Sequence, residues 1–116
     1  MATFNEARRT GEHIISEASG TRSREVVTIV SGAGKLFPGQ VLGKITASGK
    51  FDAYDNSDTT TGIGAAAAVL YSAVDATNGD VKAVVHVRDC EVTSSLLTGI
   101  DTAGTADLAT LGVIVR

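Results

Sequence analysis

Between residues 25 and 92 the chain alternates short apolar runs with glycine-rich or polar turns, the pattern of a small β-rich domain. VVTIV (26–30) is β-branched and continuous, as in a buried strand, and SGAG (31–34) is a turn. In LFPGQVLGKI (36–45), Pro38-Gly39 marks a tight turn, because proline presets φ and glycine accepts a positive one. QVLGKIT then alternates, with Val41, Gly43 and Ile45 on one side and Leu42, Lys44 and Thr46 on the other. ASGK (47–50) reads as a hairpin turn and FDAY (51–54) as its return strand, with Phe51 and Ala53 on one face. A long polar loop, DNSDTTTGIG (55–64), follows.

AAAAVLYSAVDA (65–76) is ambiguous. Four consecutive alanines favour a helix. The β-branched and aromatic residues of VLYSAV, and turn-like flanks at Gly62, Gly64 and Thr77-Asn78-Gly79-Asp80, favour a strand over 66–75. Asn78-Gly79 is the strongest hairpin signal in the chain and joins this segment to a strand over VKAVVHVRDCEV (81–92). SSLLTGI (94–100) reads as a short helix or turn. A short helix is predicted over 102–111, with Thr105 as N-cap, Asp107 in the first turn and Gly112 as the C′ residue. VIVR (113–116) closes the chain as a strand. About seven short strands and one small helix result, with no long internal repeat.

The first 25 residues differ. They are polar, with an apolar island at Ile14 and Ile15, and Gly11 and Gly20 interrupt any long helix. An N-terminal arm over 1–24, loose in isolation, ahead of a β-rich domain over 25–116 is the expected organisation.

A chain of 116 residues fits one domain with a modest core. That core has to be built from Ala, Val, Ile and Leu, since there are three Phe, two Tyr and no Trp. The net charge of −3 implies no general affinity for nucleic acid. Five aspartates and no Lys or Arg lie between Asp52 and Asp80, which reads as a solvated face. Cys90 is the only cysteine, so no internal disulfide and no oxidising compartment are indicated. No apolar leader or span of membrane length is visible, and a soluble protein made in a cytoplasm is expected.

Three Gly-Lys dipeptides within residues 32–50 raise the question of a phosphate loop. GQVLGKIT (39–46) has three residues between its glycines rather than four, and Ile45 stands where a metal-binding hydroxyl belongs. SGAGKLF (31–37) lacks the first glycine, and neither stretch runs into a helix. Lys50 at a hairpin tip has the placement of a lipoyl or biotinyl carrier lysine but not its neighbours. His13 and His86 have no partner at metal-ligand spacing, and His86 and Cys90 would lie about 13 Å apart on one strand. DAYDNSDTTTG (52–62) departs from the calcium-loop pattern. No nucleophile–base or paired-carboxylate arrangement emerges. The chain therefore reads as a non-enzyme without metal or cofactor.

RRTGEHIISEASGTRSREVVTI (8–29), GKLFPGQVLGKITASGKFDAY (34–54) and AAAVLYSAVDATNGDVKAVVHVRDCEV (66–92) resemble the head decoration proteins of tailed, lambda-type phages. The order and spacing agree along most of the chain, and SEASGTRSRE and GQVLGKIT are the specific parts. The resemblance implies a mainly β, β-clip-like subunit with one short C-terminal helix and an extended N-terminal arm. It further implies a homotrimer at threefold and quasi-threefold sites of the expanded icosahedral head, clamping the major capsid protein against the pressure of packaged DNA. The expected location is the capsid surface of the virion, after synthesis in the host cytoplasm, with neither nucleic acid nor membrane as partner. Capsid contacts are expected at Arg8, Arg9, Ile14, Ile15, Ser16, Glu17, Arg22, Ser23 and Arg24, the arginines through their planar forks. Trimer contacts are expected at Ala65, Ala66, Ala67, Ser95 and Leu96, where small residues allow close approach, although a core role fits them equally. Two other readings stay open: a small trimeric β-clip enzyme, and a carbohydrate- or host-surface-binding module carried on a virion.

Overall fold

The computed structural model describes residues 9–116. Five strands form a closed barrel in the order β2 (Arg24–Ile29), β5 (Phe51–Ala53), β4 (Val41–Lys44), β6 (Ala66–Leu70), β8 (Val81–His86). A second sheet orders β1 (Ile14–Glu17), β9 (Cys90–Val92) and β10 (Val113–Val115), with β9 central. β3 (Lys35–Leu36) and β7 (Val74–Asp75) make a two-residue ribbon. A 3₁₀ turn spans Ser94–Leu96, and α1 (Thr102–Thr110) is the one α-helix of the described residues. The subunit is mainly β with a short C-terminal helix, as its hydrophobic pattern and the family resemblance led one to expect.

Two apolar clusters organise it. Ile29, Leu42, Phe51, Ala68, Leu70 and Val85 fill the barrel. Val41, Val69, Cys90, Val92, Leu108 and Val113 fill the space between the barrel, the second sheet and α1. β4 and β6 form the shared wall, so they are buried on both faces. The expected alternation of 41–46 between two sides is seen at its start, with a core on each side. Val41 serves one cluster and Leu42 the other. The same position settles the alanine run as strand. Ala66 and Ala68 face opposite Gly43 and Leu42 of β4, and tertiary packing overrides helix propensity.

Gly43 is required by contact rather than by conformation. A Cβ there would lie 2.5 Å from Ile63 Cα, because the polar 55–64 loop folds across it. The 81–92 segment, expected as one strand, breaks at Asp89, whose φ is 50°. It yields β8 and β9, which belong to different sheets. Asn78-Gly79 does not form the expected two-residue hairpin. The chain between β6 and β8 detours through β7 to pair with β3 instead, and Gly79 lacks the positive φ that a type I′ turn needs. The ASGK turn is present: Gly49 N–H donates to Ile45 C=O at 2.8 Å, and β4 and β5 pair antiparallel from Lys44 and Phe51.

The helix starts one turn earlier than its expected cap. Asp101, not Thr105, is the N-cap, and its carboxylate accepts from Gly104 N–H at 2.6 Å and from Tyr54 O–H at 2.9 Å. Burial, then the bond to Asp101, pushes the Tyr54 phenol up to about 12. Asp107 accepts from Ala66 N–H at 3.0 Å, which ties α1 to the start of β6. Gly112 takes the left-handed C′ conformation expected of it, with φ 88°.

Gly43→Ala is expected to destabilise the fold by roughly 1–3 kcal/mol, because backbone rather than a flexible side chain would have to move. Urea denaturation measures this, and an unchanged midpoint would contradict the packing described for the 55–64 loop.

Candidate functional site

The N-terminal segment is chemically the most distinctive part of the chain. Over 14–17 it is a paired strand rather than an unpaired leader. Ile14 lies opposite Val92 and Glu17 opposite Cys90, with a bulge between Ile14 and Ser16. The chain on either side is also anchored. Gly11 N–H donates to Tyr71 C=O at 3.1 Å, and Thr93 N–H donates to His13 C=O at 2.8 Å. Ser23 closes the far end. Its hydroxyl donates to Asp89 C=O at 2.8 Å and accepts from Ala18 N–H at 2.9 Å, which secures the loop between β1 and β2.

Glu17 is the electrostatic clasp of this arrangement. Its carboxylate takes a two-pronged contact from Arg24, Nη2 at 2.7 Å and Nε at 3.2 Å, and a hydrogen bond from His86 Nε2. The bond from Arg24, followed by that from His86, holds the Glu17 carboxyl below the ordinary carboxylate range, against the opposing effect of partial burial. Reciprocally, Glu17 raises the Arg24 guanidinium. Arg24 also lies over the Tyr71 ring, 4.2 Å from its centroid. His86 is fully buried and meets Tyr71 on one side and the edge of His13 on the other, with ring centroids 5.4 and 6.4 Å away.

The expected contact residues therefore separate. Ile15, Ser16 and Arg22 are exposed, as is Arg9, and Ile15 keeps 49% of its surface. Arg22 lies 3.5 Å from Asp89 in an exposed ion pair. Ile14 and Arg24 are half-buried, while Ser23 is buried and serves the subunit's own fold. Arg8 lies outside the described residues. Of the residues expected between subunits, Ala66 is in the core and Ala67 packs against the barrel interior. Ala65 and Ser95 are exposed, and Leu96 is half-buried. His13, Tyr71 and His86 were missed, because the fold brings together positions dozens of residues apart. The only trace in the sequence is a histidine inside the apolar run VVHV.

Elsewhere the surface carries a groove of about 830 Å³ between β2, the β4–β5 hairpin and the end of α1. Val26 and Leu111, 64% and 42% exposed, lie along it. Among the described residues, no cluster of three His, Cys, Asp or Glu side chains could hold a metal ion. No described helix is long and apolar enough to cross a membrane.

Residues 3–113 match the family described as bacteriophage lambda head decoration protein D. The chain belongs to that family, whose members are structural components of the phage head rather than enzymes. Its role is capsid decoration, its binding partner is the phage capsid, and its place is the virion. No individual curated protein matches the chain.

Glu17→Gln is expected to remove on the order of 1.5–3 kcal/mol at neutral pH, the usual worth of a hydrogen bond to a charged group. A depressed carboxyl contributes stability above its unfolded value of about 4.3 and loses that contribution as pH falls through its folded value. The wild-type advantage over the variant should thus be full at pH 7 and close progressively below about pH 4.3. Denaturation midpoints measured across pH 3–7 check this, and a pH-independent gap would contradict the clasp.

Proposed function

We propose that the protein acts as a homotrimer at threefold and quasi-threefold positions of the expanded head, binding the major capsid protein and bracing the shell against packaged DNA. The observation that carries this reading is the family match across nearly the whole chain. The N-terminal geometry supports a gripping role for residues 1–24 on a decoration domain over 25–116. Among the described residues β1 is an edge strand, so one side of its backbone is open to a neighbouring sheet. Ile15 and Arg22 project from the exposed side of this segment. On this reading Arg9, Ile15, Ser16 and Arg22 face the capsid, together with Arg8. Ile14, Glu17, Ser23 and Arg24 hold the segment in position, so their effect on the capsid passes through the fold.

Trimerisation supplies what one segment lacks. Ordering a peptide on a surface costs roughly 2–5 kcal/mol, so a single contact binds weakly. Three contacts on one rigid body share a docking event, and linkage raises affinity by about 10²–10⁴ when the receptor sites have the right spacing. Shell expansion would set that spacing and so select the mature head. Trimer contacts are assigned to Ala65, Ser95 and Leu96, the accessible members of the two small-residue runs, with Ala66 and Ala67 supporting them from within.

Native mass spectrometry should give a mass three times that of the 11.8 kDa chain. Trimers should sediment with expanded, undecorated heads at least about 100-fold more tightly than with unexpanded shells. Equal binding to both shells would overturn selection by spacing. Deleting residues 1–8, or replacing Ile15 by Ser with Arg22 by Glu, should weaken head binding while leaving the trimer mass unchanged. Retained full affinity in both variants would remove the N-terminal segment from the mechanism. Truncation through residue 24 is a poorer test, because it also strips β1 from Cys90 and Val92.

A further inference from the structure

The barrel has one nearly unbonded seam. β2 and β8 pair over six residues, whereas β2 and β5 meet at a single pair, Ile29 with Phe51. Val87 N–H donates to Ser23 C=O, which sets the phase of the β2–β8 ladder. Glu25, Val27 and Ile29 exchange bonds with β8, and the backbone groups of Val26 and Thr28 point the other way. Short of the Ile29–Phe51 bridge, nothing among the described residues pairs with Val26 N–H, Val26 C=O or Thr28 N–H. This row of free groups lines the 830 Å³ groove, which has Phe51 and Ala67 at its apolar floor. A β edge beside an apolar trough is the form of a strand-addition site.

We propose that the open edge of β2 is such a site, taking an extended, acid-bearing segment of the head shell subunit. This rests on the decoration role and adds a second gripping surface, separate from the N-terminal segment. Charge specifies the occupant. At the Phe51 end stand Lys44 and Lys82, neither with an ion-pair partner among the described residues, Lys82 donating to the Thr28 hydroxyl at 2.8 Å. At the other end Arg88 is already neutralised by Glu25 at 2.9 Å. The groove therefore presents uncompensated positive charge at one end, and a carboxylate on the entering strand answers it. A second copy of this chain fits worse. Its β1 edge has its one acid locked to Arg24 and His86, and its β10 edge ends in a basic residue, Arg116.

The test is residue-resolved hydrogen exchange of the full-length protein, free and bound to expanded, undecorated heads. In the free protein Val26 and Thr28 amides should exchange quickly while Val27 and Ile29 are protected, and on the heads all four should be protected. Val26→Pro removes an amide that the β8 ladder does not use, so it should fold normally and lose about tenfold or more in head affinity. Val26→Thr should bind as wild type. Lys44→Glu combined with Lys82→Glu should weaken binding comparably. Should the proline variant misfold, the exchange pattern and the lysine variant decide alone. Binding to heads with Val26 and Thr28 still exchanging would overturn this inference and leave the decoration role standing. Failure of the wild type to bind heads at all would overturn both. Protection that grows with protein concentration in the absence of heads would assign the edge to a second copy and refute the proposal.

Discussion

The closed barrel of five short strands is held unevenly around its circumference, and its weakest junction is that of β2 with β5. Six rungs join β2 to β8, and one joins it to β5. The rest of the architecture accommodates that imbalance. β4 and β6 are committed on both faces, to the barrel interior and to the second cluster, and have no room to shift toward the seam. Small residues at 43, 66 and 68 let the shared wall stay thin, so a chain poor in aromatics can still fill two cores.

The second sheet is built from pieces that are far apart in sequence. β9 takes β1 on one side and β10 on the other, antiparallel and parallel respectively. The beginning and the end of the chain thus converge on one central strand. Glu17 makes this convergence specific, since the strand pairing of β1 alone is short and bulged. A carboxylate shared by Arg24 of β2 and His86 of β8 links the edge sheet to the barrel. The two sheets are thus joined through a charged, partly buried contact as well as through their apolar clusters.

Much of this fold was legible in the sequence because its turns are written in glycine and its strands in β-branched residues. The ASGK turn, the strand character of the alanine run and the helix before Gly112 all follow from local chemistry. What local chemistry could not reveal was where strands end for tertiary reasons. Asp89 divides 81–92 because its two halves serve different sheets, and Asn78-Gly79 yields to the pairing of β7 with β3. The N-terminal segment was read as polar and therefore loose. Its polarity has a destination, though: Ser23 and Glu17 each engage groups dozens of residues away. Long-range polar satisfaction leaves no periodic trace, which is also why the Glu17–His86 contact had no signal at the level of spacing.

The buried position of Cys90 bears on life outside the cell. It sits on the central strand of the second sheet, facing the second apolar cluster, and its thiol is pushed up to about 11, mainly by burial. A thiol that stays protonated and covered neither couples to its neighbours nor climbs the oxidation ladder readily. Cys90 would then be a poor entry point for oxidative damage to this subunit outside the cell.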